Sequence, residues 1–149
     1  MNCLFEETQK FTQWWLWVVL GLSFLLPITS DINNTPSSYF LVMIITVVFV
    51  NSMKLRICVN NQGFNYQFSP FHLKKKHIKT DDIKYVEAVK YNPIMDYGGW
   101  GIRYRFKGKC YNVKGNYGVK VFLKNGSNIL FGSQKHKELE ASLKKVISQ

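Results

Sequence analysis

Two apolar blocks near the start of the chain set its pattern. Residues Trp14 to Ile28 and Tyr39 to Val50 are almost wholly apolar, and between them lies the polar stretch TSDINNTPSS. From Phe11 to Met53 there is neither Lys nor Arg, and Asp31 is the only acid. Neither block has the charged face that a helix packed against a globular core normally keeps toward water. A spanning helix needs roughly 20 apolar residues, with about 17 as a lower limit. The pattern predicts a transmembrane α-hairpin in residues 1–53, with helices at about 11–29 and 37–53, each at the short end of that range. Trp14, Trp15, Trp17 and Tyr39 stand where interfacial anchors belong.

After Met53 the period changes to two. Leu55, Ile57 and Val59 alternate with Lys54, Arg56 and Cys58; Phe64, Tyr66 and Phe68 alternate with Asn65 and Gln67; the turn Asn60-Asn61-Gln62-Gly63 joins them as a hairpin. A third strand is expected within Phe71–Thr80 and another from Ile83 to Tyr91, with a loop at Asn92–Gly99. Ile102, Tyr104 and Phe106 then alternate with basic residues, and Val119, Val121 and Leu123 lead to Asn125-Gly126, the pair suited to a type I′ turn. Ser133 is a candidate N-cap, and Leu139, Leu143, Val146 and Ile147 form the stripe of a terminal helix. Residues 54–149 thus predict a mainly β domain of seven or eight antiparallel strands, capped by one C-terminal α-helix.

Charge sharpens the picture. The chain carries 20 Lys and Arg against 9 acidic residues, and all of the basic residues but Lys10 follow Met53. That places 19 basic and 6 acidic residues in the β domain, a formal charge of +13. Lys10 before the first block, and Lys54 and Arg56 after the second, predict two passes with both termini cytoplasmic. The expected location is a membrane, with the bilayer as the first partner. Anionic lipid headgroups, or a protein partner, suit such a domain, at about 1 kcal/mol per Lys or Arg near a charged surface. The residues expected to make that contact are Lys54, Arg56 and the run Lys74-Lys75-Lys76. No nucleic-acid motif is present.

The order of elements, with the block Gly98 to Gln134 and most specifically Tyr97 through Arg103, Asn112, Gly115-Asn116 and Gly132-Ser133-Gln134, resembles the bacterial pleckstrin-homology-like proteins that carry a membrane hairpin ahead of the domain. The resemblance implies a curled seven-stranded PH-like barrel with the last helix plugging one end, in a protein of the bacterial inner membrane, and it implies no activity. One departure stands out: the first hairpin turn, where phosphoinositide-binding members place Lys and Arg, is uncharged here.

Candidate chemistry is sparse. Cys3, Cys58 and Cys110 are odd in number and widely spaced, which predicts reduced thiols. Three histidines lack metal-ligand spacing, and no cofactor or metal is expected. A thiol hydrolase built on Cys110 with His72 or His77 is a remote reading. Gly98, Gly99, Trp100 and Arg103 mark a possible recognition loop, although a glycine-permitted bend accounts for the same residues. The sequence therefore favours a binding or scaffolding module without catalytic residues. The alternatives are an enzyme using a pocket beside Trp100, and an assembly subunit pairing through Thr46 and Asn51. Oligomeric state is not legible.

Overall fold

The computed structural model describes residues 3–30, 37–105 and 108–148. Among the described residues nine strands and four α-helices follow one another: β1 (Phe5–Lys10), α1 (Trp14–Ser30), α2 (Ser37–Ser52), β2 (Lys54–Asn60), β3 (Gly63–Ser69), β4 (Lys76–Lys79), β5 (Ile83–Lys90), α3 (Pro93–Tyr97), β6 (Gly101–Arg105), β7 (Gly108–Asn112), β8 (Tyr117–Leu123), β9 (Asn128–Gly132) and α4 (His136–Ile147). The chain divides into two compact units, one of residues 1–10 with 54–149 and the other of residues 11–53.

In the helical unit the structure corrects the predicted span. Among the described residues no helix is long and apolar enough to cross a membrane. Helix α1 has 17 residues and α2 has 16; at 1.5 Å per residue these reach about 25 Å, short of the roughly 30 Å of a hydrocarbon core. Phe11, Thr12, Gln13 and Met53, which brought the blocks up to length, are not helical. The two-pass topology, the cytoplasmic termini and the inner-membrane location fall with the span, and the anchor role given to Trp14, Trp15, Trp17 and Tyr39 depended on it. Trp14 is exposed, and Tyr39 donates its hydroxyl proton to the Ser23 carbonyl. The side chain of Trp15 and the TSDINNTPSS turn lie outside the described residues, apart from the backbone at the turn's two ends. Thr46 bonds back to the Val42 carbonyl at 2.8 Å, so its hydroxyl is satisfied within α2.

The β unit is two sheets and not a closed barrel. The first has strand order β1-β2-β3-β4 and the second β5-β8-β9-β7-β6. All neighbours are antiparallel except β7 and β9, which run parallel. Strand β9 lies between β8 and β7 and is buried along nearly its whole length, a central position that alternation along one strand does not reveal. The sheets meet through aromatic rings: Phe64 of β3 and Phe131 of β9 have centroids 4.6 Å apart, and Tyr66 and Phe131 4.8 Å. Helix α4 adds Leu139, Leu143 and Val146, all buried; each such side chain contributes about 1.5–3 kcal/mol.

Strand β1 is the largest addition to the predicted plan. It pairs with β2 from Phe5↔Val59 to Lys10↔Lys54, so the helical unit is inserted where a hairpin turn would stand. Its inward positions are Phe5, Glu7 and Gln9. Glu7 accepts hydrogen bonds from Ser133 Oγ at 2.5 Å and the Gln134 amide at 2.9 Å, while Gln9 Nε2 donates to the Gly132 carbonyl at 2.7 Å. Ser133 is therefore a buried partner of Glu7 and not the cap of α4, whose N-cap position is Lys135. The Asn125-Gly126 turn also departs from type I′, because Gly126 has positive φ and Asn125 does not. Asn125 Oδ1 accepts instead from Ser127 N–H and Oγ–H.

Candidate ligand-binding cleft

The pleat of the first sheet sends Leu55, Ile57 and Val59 into the core, with exposures of 1% or less. The residues between them must then point outward. Register places the outward residues in rows. Glu6 lies opposite Cys58, Cys58 opposite Asn65, and Asn65 opposite His77, a line across all four strands. The next line is Thr8, Arg56 and Gln67, and the one after it Lys10, Lys54 and Ser69.

Cys58 is joined to Cys3 by a disulfide, with Cα atoms 5.7 Å apart. The expectation of three reduced thiols is overturned: only Cys110 is free. Spacing along the sequence could not reveal this pair, because the two cysteines are 55 positions apart and the chain between them leaves and re-enters the sheet at one point.

A folded loop closes the cleft. The chain turns after β3 so that the His72 amide donates to the Phe68 carbonyl at 2.8 Å, and His72 Nδ1 accepts from Phe68 N–H at 3.3 Å. Gln67 Nε2 donates to the carbonyls of His72, at 3.0 Å, and Leu73, at 3.3 Å. These bonds hold the loop that carries Lys75. The result is a cavity of about 390 Å³ lined by Arg56, Lys75, Glu6, Asn65 and Gln67, with the Cys3–Cys58 disulfide, Ile57 and Tyr66 as its less polar wall.

The charges of this cleft are not neutralised internally. Among the described residues the ion pairs are Lys135–Glu138 and Lys144–Glu140, both on or beside α4. Asn65 is 9% exposed; its Oδ1 lies 2.9 Å from His77 Nδ1, and its Nδ2 has no partner. His72 packs against the rings of Tyr66 and Tyr111, and burial, then Lys76 and Lys109, lowers its pKa below the ordinary imidazole value. Burial, reinforced by Tyr111, raises the Tyr66 phenol.

Of the five basic residues expected to act together, Arg56 and Lys75 meet at the cleft. Lys54 is one row beyond Arg56, half-buried, and Lys74 and Lys76 are exposed beside Lys75. Glu6, Asn65 and Gln67 were not anticipated. Strand β1 carries polar residues at two of its three inward positions, so its alternation is invisible to a hydrophobic pattern.

The loop at Trp100 is organised differently. Helix α3 begins at Asn92, whose Oδ1 accepts from the amides of Ile94 and Met95. It ends at Gly98, where φ is 76°, a value that favours glycine. Arg103 packs by Gly99, where an added Cβ would lie 3.4 Å from Nη2. Trp100 Nε1 donates to the Gly115 carbonyl at 3.4 Å, and Asn112 Oδ1 accepts from Gly101 N–H at 2.9 Å. A second, more open cavity of about 480 Å³ lies here, with Lys90, Tyr91, Asp96 and Trp100 in its lining.

Cys110 is fully buried in a cluster with Tyr91, Tyr97 and Leu130. Burial pushes its thiol up to about 12, the reverse of what a nucleophile requires. His77 is engaged by Asn65 and His72 by Phe68, so neither serves Cys110. Among the described residues no group of three His, Cys, Asp or Glu is arranged to hold a metal ion. Comparison of the chain with family models, with curated proteins and with solved structures finds no match.

Proposed function

We propose that the β unit is a binding module that takes an anionic group in the cleft on the outer face of its first sheet. One observation carries the reading: Arg56 and Lys75, from different parts of the chain, line one cavity with no carboxylate in ion-pair contact among the described residues. Arg supplies a planar fork of donors matched to an oxyanion, and Lys a mobile point charge. The surrounding basic excess, +13 after Met53, draws an anion toward the face before the cleft selects it. Binding rather than catalysis fits a cleft whose side chains offer charge and hydrogen bonds without an activated nucleophile.

The test is calorimetric titration of the full-length protein with inorganic phosphate and pyrophosphate at two salt concentrations. Binding is expected, weaker at the higher salt, and reduced roughly tenfold or more in Arg56→Gln and Lys75→Gln, the loss of one charge-assisted hydrogen bond each. Absence of binding, or binding indifferent to both substitutions, overturns the proposal.

A further inference from the structure

The cleft holds both signs of charge. Glu6 lines the same cavity as Arg56 and Lys75, yet among the described residues no ion pair joins it to either. It is also a solvent-facing residue, so nothing in the core accounts for its carboxylate. Asn65, more than nine-tenths buried and part of the same lining, keeps an NH2 group without a partner while its oxygen is occupied at His77. A buried donor left unmatched is destabilising until an acceptor arrives.

Building on the anion-binding reading above, we infer that the cleft takes a small phosphate monoester that also carries an ammonium group. The phosphate lies against Arg56, Lys75 and the Asn65 NH2, and the ammonium against Glu6. Charge favours this class: two cations match the dianion of a monoester, which the single charge of a diester does not, and the remaining carboxylate matches one ammonium. Donor number agrees, because a guanidinium, an ammonium and an amide NH2 together offer more N–H groups than a two-oxygen carboxylate readily accepts. The disulfide gives a short apolar spacer a surface to lie on, and about 390 Å³ is near the lower end for small-molecule sites.

Three probes decide the matter on the full-length protein: O-phosphoethanolamine, inorganic phosphate, and glycerophosphoethanolamine, the water-soluble diester that reproduces a lipid headgroup. O-phosphoethanolamine is expected to bind about tenfold tighter than either of the others, a difference of about 1.4 kcal/mol. Glu6→Gln should remove that advantage over phosphate while leaving phosphate itself bound at least as well, and circular dichroism should show the variant folded. Equal affinity for phosphate and O-phosphoethanolamine, or an advantage that survives Glu6→Gln, overturns the ammonium seat and leaves the anion site standing. A diester that binds as well as the monoester overturns the monoester assignment. Binding of none of the three removes the anion site as well.

Discussion

His72 shows how one side chain links packing to pH. Its ring packs against those of Tyr66 and Tyr111, and its Nδ1 accepts a hydrogen bond from the backbone of Phe68. Burial and the nearby Lys76 and Lys109 favour the neutral form. Protonation would turn the acceptor into a donor facing N–H. Because the folded pKa is lowered, the unfolded chain binds a proton that the folded chain refuses. The associated stability is complete above the ordinary imidazole range and declines as pH falls through the lowered folded value. Thermal melting from pH 8 to pH 5 should show this decline, and His72→Phe, which keeps the ring contacts, should flatten it. A slope unchanged in the variant would assign the pH dependence elsewhere. Cys110 behaves oppositely: its thiol, pushed up to about 12 by burial, stays neutral throughout that range and contributes packing alone.

Strand β1 is held in three ways, by its ladder to β2, by the disulfide near its start and by the inward bonds of Glu7 and Gln9 to the end of β9. The disulfide closes a loop that includes both helices. In the chain-entropy account, cross-links of this kind stabilise by about 2–4 kcal/mol. Cys3→Ser should therefore lower the unfolding free energy by about that amount in denaturant titration. Thiol titration of the unfolded wild type should find one reactive cysteine without reductant and three with it. Three in both conditions, on protein kept from reductant, would mean the bridge does not form. Helix α4 is the contrasting case. Of its predicted stripe Leu139, Leu143 and Val146 are buried and Ile147, in the last turn, is half-buried, because a regular helix turns sequence period directly into a face. Its Glu140–Lys144 pair, at 2.8 Å, is likewise set by i, i+4 spacing.

At the level of the whole chain, the division into units follows from where the helices enter. Lys10 and Lys54 are register partners, so an Asn-Gly turn joining them directly should replace residues 11–53 and leave both sheets intact. Such a variant is expected to melt cooperatively and to remove exposed apolar residues such as Leu41, Ile44 and Val48. An unfolded product would show that the helical unit is needed for the β unit to fold. The sequence by itself determined the elements whose pattern is local: the β2–β3 hairpin, the strands from Val119 onward, the stripe of α4 and the concentration of basic charge after Met53. Periodicity and spacing act between neighbours a few residues apart, and they survive translation into structure. Tertiary structure alone decided the rest: the start of α1 at Trp14 and the end of α2 at Ser52, and with them that no helix among the described residues is long and apolar enough to cross a membrane; the pairing of β1 with β2 across 43 intervening residues; the parallel β7–β9 contact; and the Cys3–Cys58 bond. It also chose which charges meet, since Glu6, Arg56, Asn65 and Lys75 converge through strand register and a folded loop, relations between distant positions that a linear pattern of apolar and polar residues does not encode.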